Sequence, residues 1–271
     1  MKAETIIKQQ ARNSLADQNW GVAHAAYIFP ACAFFMAQTV NSFSVIVRGA
    51  SVEELANAPF ARPEALLFFL LLQVLAVGIL FVFSPVFVGA AKLYTDIAHG
   101  RQGRLSTLFG WFSGKHQYGR AVVFSLSLAV RNVLWALLCF FPCGFFVVLL
   151  RNFSVEGSGP LQEGIRLLWY FFLVLLILLG LALWVVLTSR YFLAPYLFLY
   201  KEELSAKACV MQSIFLMKKN KGRYLRLVLS FLPWLLSCFF VIPALYVVPY
   251  FQTACALSAR WMLEEAGEGI P

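Results

Sequence analysis

The chain has 271 residues, of which 61% are hydrophobic, only 13% are charged and 27 are phenylalanine. This balance excludes a soluble globular domain of ordinary composition and predicts an integral membrane protein. The formal net charge is +9, and the placement of these lysines and arginines indicates how the chain is oriented in the membrane.

The N-terminal segment is amphipathic. No short apolar region with a small-residue cleavage site follows Lys2 and Lys8, so we expect no cleaved signal peptide. Residues 3–18 predict a surface helix instead. Its apolar side consists of Ile6, Ile7, Ala11 and Leu15, and its polar side consists of Lys8, Arg12 and Asn13.

Six apolar stretches are long enough to cross a hydrocarbon core of about 30 Å as helices. They predict an all-α fold, a polytopic helical bundle with about six transmembrane helices and additional amphipathic interfacial helices. The stretches are residues 21–46, 65–90, 119–150, 167–194, 224–242 and 245–264.

The last two stretches are separated only by a short break around Pro243. Two crossings therefore require a tight hairpin at this point. A single broken helix over residues 224–264 is the alternative.

The basic residues predict a cytoplasmic N-terminus and a cytoplasmic C-terminus, because short loops rich in Lys and Arg stay inside. With six spans, the outer loops hold four cations: Arg48, Arg62, Arg151 and Arg166. The inner segments hold Lys2, Lys8, Arg12, Lys92, Arg101, Arg104, Lys115, Arg120, Lys201, Lys207, Lys218, Lys219, Lys221, Arg223, Arg226 and Arg260.

Three similar junctions indicate an internal repeat. The pieces DQNWG, KHQYG and KKNKG place Gly21, Gly119 and Gly222 before apolar runs, 98 and 103 residues apart. LYTDIAHG (93–100) also resembles LYKEELSA (199–206). These matches predict a possible threefold repeat within one membrane domain, with units 1–98, 99–200 and 201–271, each a surface helix followed by two spans.

The surface helix of the middle unit has the clearest pattern. Its apolar residues stand at helical spacing, i, i+3, i+4 and i+7. They are Leu105, Leu108, Phe109 and Phe112.

Polar residues within the spans are the candidates for function, because they are costly there. Arg131 and Asn132 lie in the third span, and Gln38 and Asn41 lie near the outer end of the first. Arg131 has two interpretations: it extends to phosphate at the inner interface, or it is a buried cation that binds an anionic headgroup or solute. The amides of the first span fit interhelical hydrogen bonds.

The sequence contains no recognisable catalytic or metal-binding pattern. Every Asp and Glu can be placed in loops, tails or span ends, which disfavours a proton-coupled carrier built on a membrane carboxylate. Cys139 and Cys143 are one turn apart, but no His or second Cys pair accompanies them. We therefore expect no enzyme, no cofactor, no metal and no disulfide.

Both ends of the chain resemble one family. The start of the chain, IIKQQARNSLADQNWGVA (6–23), resembles the start of the bacterial membrane family catalogued as domain of unknown function nine-seven-five (DUF975). Residues 191–263 resemble the C-terminal part of the same family. They contain MQSIFLMKKNKGRY, LVLSFLPWLL and the Pro249-Tyr250 step. KEEL stands where an Asp-Pro or Asn-Pro step is expected. The resemblance implies a multi-pass protein of the bacterial inner membrane, and it implies no substrate.

Two functions remain open from the sequence. The first is a non-enzymatic module that organises a membrane complex with an unknown protein partner, or handles anionic lipid, through a basic cytoplasmic face. The second is a permease or a transporter accessory subunit with a polar path near Arg131. Nucleic acid is disfavoured as a partner, because the main basic cluster adjoins a membrane span. That cluster consists of Lys218, Lys219, Lys221, Arg223 and Arg226.

Overall fold

The computed structural model describes residues 3–16, 19–48, 63–152, 160–201, 203–238 and 241–267, and within these ranges every regular element is helical. The all-α class is therefore confirmed. The helices are α1 (Ala3–Ala16), α2 (Trp20–Arg48), α3 (Pro63–Val82), α4 (Ser84–Ala98), α5 (Ser106–Phe109), α6 (Lys115–Asn152), α7 (Pro160–Thr188), α8 (Ala194–Tyr200), α9 (Ala206–Ser237) and α10 (Val241–Glu265), with 3-10 turns at Gly110–Phe112 and Ser189–Tyr191.

Four helical stretches are long and apolar enough to cross a membrane. They are Trp20–Thr39, Leu70–Ala98, Lys115–Leu150 and Gln162–Tyr200. Large apolar side chains on them are widely exposed, for example Phe141 at 71% and Leu167 at 70%. Such a surface is unfavourable in water, so it indicates contact with lipid.

The long helices form hairpins. Helix α2 packs against α3, α6 against α7, and α9 against α10. The ring of Phe231 in α9 lies 5.1 Å from that of Tyr250 and 5.3 Å from that of Phe251 in α10, measured between centroids. Residues 224–264 therefore form a hairpin and not one broken helix. Pro243, where the break was expected, lies inside α10.

Prolines break the second helix of the first two hairpins. Helix α3 ends at Val82, and α4 starts again at Ser84 with Pro85 in its first turn; α8 likewise has Pro195 in its first turn. A proline lacks the backbone N–H that would continue the ladder and restricts the residue before it. The short helices α4 and α8 can therefore change direction relative to α3 and α7.

The buried core is concentrated at one end of the bundle, which we call the packed end. It gathers α1, α4, α8, the first turns of α2 and α6, much of α9 and the last turns of α10. The rings of Phe124 in α6 and Phe198 in α8 stack there with centroids 4.3 Å apart. The opposite halves of α6 and α7 are largely exposed, so packing holds the hairpins together mainly at the packed end.

Helix α1 packs against α9 and α10. Ile7, Ala11 and Leu15 are buried, as the amphipathic pattern predicts, and Arg12 is exposed. Lys8 does not lie on the polar side. Its Nζ donates to the Ser230 carbonyl at 2.7 Å and lies 4.3 Å from the centroid of the Phe231 ring, and burial lowers the pKa of this ammonium although the Glu4 carboxylate opposes the shift.

The third surface helix is not a separate element. Helix α9 runs without a break through the KKNKG piece, from its N-cap Ser205, whose side chain accepts from the Ala208 N–H at 3.2 Å. Gly21, Gly119 and Gly222 all lie inside helices, and no atom lies within 4 Å of an added Cβ at any of them. One glycine costs a helix about 1 kcal/mol, which packing of the same helix readily exceeds.

The middle surface helix is shorter than its pattern predicts. Helix α5 has one turn and then tightens to a 3-10 turn at Gly110. Residues i and i+3 align in 3-10 geometry, and Leu108 and Trp111 are the buried pair. Of the predicted apolar face, Leu108 is buried, whereas Leu105, Phe109 and Phe112 are exposed.

Gly89 sets how closely α5 approaches α4. A Cβ built on Gly89 would lie 2.3 Å from the carbonyl oxygen of Leu108 and 2.9 Å from its Cα. These are backbone atoms, which cannot rotate away. The contact between α4 and α5 therefore requires glycine at this position.

We predict that Gly89→Ala lowers the free energy of unfolding by about 2–3 kcal/mol, since the new methyl overpacks a rigid contact. The measurement is the thermal midpoint of the purified protein in detergent. Gly119→Ala is the control, because its Cβ meets open space and alanine favours a helix by about 0.5–1 kcal/mol. Equal midpoints for Gly89→Ala and the wild type would contradict the packing argument.

Candidate functional site

The five cations of the predicted lipid-binding cluster lie on α9 and fall into two groups. Lys218, Lys219 and Lys221 have no carboxylate partner among the described residues. Arg223 pairs with Glu265, and the Arg226 Nε lies 3.5 Å from the Glu4 carboxylate. The arginines therefore connect α9 to α10 and α1, whereas the lysines remain available to an external anion.

Arg131 is turned back along its own helix. Its Nη1 donates to the Ser127 carbonyl at 2.7 Å and also contacts the Ser127 hydroxyl. Ser127 is one turn closer to the start of α6, where the helix meets the packed end. Side chains of a helix tilt towards its N-terminus, and Ser127 holds the guanidinium of Arg131 in that direction.

Asn132, the neighbour of Arg131, faces inwards. It lines a cavity of about 340 Å³ between α4, α6, α7, α8, α9 and α10, which we call the central cavity. The two residues expected to form one polar path are thus placed on different sides of α6. Gln38 lies on the exposed side of α2, and the side chain of Asn41 lies outside the described residues.

The central cavity is aromatic, and none of its fourteen lining residues is charged. Several of its polar groups are already paired. The Tyr94 hydroxyl donates to the Ala23 carbonyl at 2.9 Å, the Trp184 Nε1 to the Asn132 carbonyl at 3.3 Å, and the Thr188 hydroxyl to the Trp184 carbonyl at 2.7 Å. These bonds fix the walls of the cavity.

Other polar groups in the wall have no partner among the described residues. They are the side-chain amides of Asn132 and Gln252 and the hydroxyls of Tyr196 and Tyr224. Tyr196 is only 7% exposed. Asn132 and Tyr224 are partly buried and Gln252 is exposed, so these four groups give the cavity hydrogen-bonding capacity that a ligand can use.

A second, wider space adjoins the central cavity. It measures about 720 Å³, lies between α2, α3, α4 and α6, and is lined almost entirely by apolar side chains; we call it the wide groove. Four residues line both spaces: Ala91, Leu128, Asn132 and Pro195. The central cavity and the wide groove therefore meet beside Asn132.

Arg190 and its neighbours were not predicted from the sequence. The Arg190 guanidinium lies 4.9 Å from the ring of Trp135, whose Nε1 donates to the Tyr191 hydroxyl at 3.0 Å. The Arg190 carbonyl accepts from the Ser213 hydroxyl at 2.9 Å. This cluster joins α6 and α9 to the 3-10 turn at the edge of the central cavity. The available signal was the crowding of tyrosines at 191, 196 and 200 at the end of an apolar run.

Comparison with models of known protein families assigns the chain to a family. A family model described as "Protein of unknown function (DUF975)" matches residues 1–260. The chain belongs to the DUF975 family. The resemblance noted at the two ends of the sequence is thus confirmed, and the match extends through the middle. A search of curated proteins and a search of solved structures each returned no match.

Among the described residues of this DUF975 protein, no three His, Cys, Asp or Glu side chains lie together as a metal site. The six cysteines are free thiols. The site that the residues do form is the uncharged central cavity, together with the exposed lysines of α9.

We predict that Tyr191→Phe lowers the free energy of unfolding by about 1–3 kcal/mol, because the Trp135 N–H loses its acceptor in a partly buried position. The thermal midpoint in detergent is the measurement. Tyr170→Phe is the matched control, since Tyr170 is 55% exposed on α7. A Tyr191 variant as stable as the Tyr170 variant would show that the bond to Trp135 contributes nothing.

Proposed function

We propose that this DUF975 protein is a non-enzymatic, multi-pass protein of the bacterial cytoplasmic membrane that binds anionic lipid at a basic cytoplasmic face. Through that face it organises a membrane complex. In the proposed arrangement six helices cross the membrane and both termini are cytoplasmic. The exposed stripe of α9 is the observation that carries the proposal.

This stripe combines apolar and basic side chains on one side of a helix. Met211 and Phe215 are exposed at 58% and 70%, and Lys218 and Lys219 follow at i+7 and i+8 from Met211. The Lys218 Nζ lies 6.0 Å from the centroid of the Phe215 ring. Exposed apolar residues beside unpaired cations are typical of a helix at an anionic membrane surface, where each cation contributes about 1 kcal/mol.

Two features of the last hairpin support six spans. Helix α10 has 25 residues and is about 37 Å long, which is enough to cross the hydrocarbon core. In α9 the apolar part is shorter, but Arg223 reaches Glu265 at the end of α10. The guanidinium of Arg223 therefore lies beside the end of α10. An arginine at a membrane interface extends its side chain in this way.

The threefold repeat is supported by the three hairpins. Helix α4 ends at Ala98 and α8 at Tyr200, which are the proposed boundaries between units 1–98, 99–200 and 201–271. The second helix of each unit also carries a proline, Pro85, Pro195 or Pro249, ahead of a buried C-terminal part. In the third unit the surface helix and the first span have joined into α9.

The lysines of α9 provide a test of lipid binding. Replacing Lys218, Lys219 and Lys221 together by Gln should weaken retention of phosphatidylglycerol by at least tenfold, because about 3 kcal/mol of electrostatic attraction is removed. Bound lipid is measured by mass spectrometry after purification, and binding by titration with vesicles that contain phosphatidylglycerol.

The matched control is Arg223→Gln with Glu265→Gln, since these two charges pair with each other and their joint removal leaves the net charge unchanged. We expect its lipid retention to stay within about twofold of the wild type, because paired charges attract a further anion weakly. Equal retention by the triple lysine variant and the wild type would refute the proposed lipid site.

Cys238 tests the number of spans, because it follows the last residue of α9 at the turn of the third hairpin. In a variant that keeps Cys238 and has alanine at the other five cysteines, a membrane-impermeant maleimide should label intact cells. Six spans place this turn outside.

The matched control keeps only Cys32, which is exposed within the apolar helix α2. It should stay unlabelled, because maleimides require water to reach a thiolate. Labelling of Cys238 only in inside-out vesicles would show that α9 and α10 do not cross the membrane.

A further inference from the structure

The absence of charge in the central cavity limits what it can hold. None of its lining residues is charged. In a membrane-embedded site a charged ligand needs an opposite charge, since an isolated ion there is poorly solvated. The lining therefore favours an uncharged ligand.

The free polar groups of the wall can both donate and accept hydrogen bonds. The amides of Asn132 and Gln252 each present an NH₂, and the hydroxyls of Tyr196 and Tyr224 each present a proton. The Tyr191 hydroxyl accepts from Trp135 and so retains its own proton for donation. A ligand that carries oxygen acceptors would satisfy these groups.

Aromatic rings form about half of the wall. The ring of Phe192 lies 5.6 Å from that of Tyr196 and 4.2 Å from that of Tyr224, measured between centroids. Tyr94, Trp184, Tyr191 and Phe251 add four more rings. Stacked and edge-on contacts with such rings favour a planar ring in the ligand.

The wide groove gives the cavity an apolar extension. It opens from the central cavity beside Asn132 and is more than twice as large, at about 720 Å³ against 340 Å³. Its walls are apolar side chains of α2, α3, α4 and α6, such as Phe34, Leu80 and Val133. A long apolar tail fits this space, and a ligand that carries such a tail would enter from the lipid phase.

We propose that the central cavity binds the head of a membrane-soluble quinone, an uncharged planar ring with carbonyl oxygens, and that the apolar tail of the quinone lies in the wide groove. The carbonyl oxygens accept from Asn132, Tyr196, Tyr224 or Gln252. This proposal concerns binding alone and does not depend on the lysines of α9.

Native mass spectrometry of the detergent-solubilised full chain, titrated with decylubiquinone, tests this proposal. We expect one saturable adduct per chain. Tyr196→Phe removes one hydroxyl and keeps the ring, so it should weaken apparent binding by about fivefold to tenfold. Asn132→Leu should weaken it further, because Asn132 lines both the cavity and the groove.

Tyr170→Phe is the matched control and should bind as the wild type does. Thermal midpoints establish that each variant is folded. If Asn132→Leu does not fold, the conservative Tyr196→Phe variant alone tests the proposal. Equal binding by the wild type and Tyr196→Phe overturns the proposal. The proposal is also overturned if dodecyltrimethylammonium or dioctanoylglycerol binds saturably and decylubiquinone does not. The first probe is an organic cation, and the second is a lipid whose headgroup has no ring.

Discussion

The two proline breaks, before Pro85 and before Pro195, are the constraint on which the rest of the structure depends. Each ends a long apolar helix and lets a short one, α4 or α8, enter the interior at the packed end. The core, the contact of Gly89 with Leu108 and the wall of the central cavity all use residues of α4 or α8.

This arrangement fits the physics of a lipid environment. Lipid tails are as apolar as leucine, so burial between two membrane helices gains little. The halves of α6 and α7 that lie away from the packed end accordingly remain exposed. In water the burial of apolar side chains is favourable, and at the packed end the amphipathic α1 covers α9 and α10 with Ile7, Ala11 and Leu15.

The sequence was sufficient to predict what hydropathy and periodicity determine. It predicted an all-helical membrane protein of the DUF975 family and the buried side of α1. It did not predict the partner of Lys8, because a carbonyl of Ser230 more than two hundred residues away decides that contact. The 3-10 turn that follows α5 was not predicted either, and there Leu108 packs against Gly89 of α4, which is a tertiary contact.

The sequence likewise predicted only part of the candidate site. Asn132 was a candidate because an amide within an apolar run is unusual, but its separation from Arg131 depends on how α6 is rotated against its neighbours. The tyrosines of the central cavity were not identified, because a tyrosine in a membrane sequence is equally typical of an interface. Only the packing of α8, α9 and α10 brings Tyr196, Tyr224 and Gln252 together.

The unbroken course of α9 has a mechanical consequence. Lys218 is on its outer surface and Tyr224 is in the wall of the central cavity, six residues or about 9 Å apart on one stiff helix. A flexible joint at Gly222 would have separated the motions of these two regions. Without one, a tilt of α9 would move its outer surface and the cavity wall together.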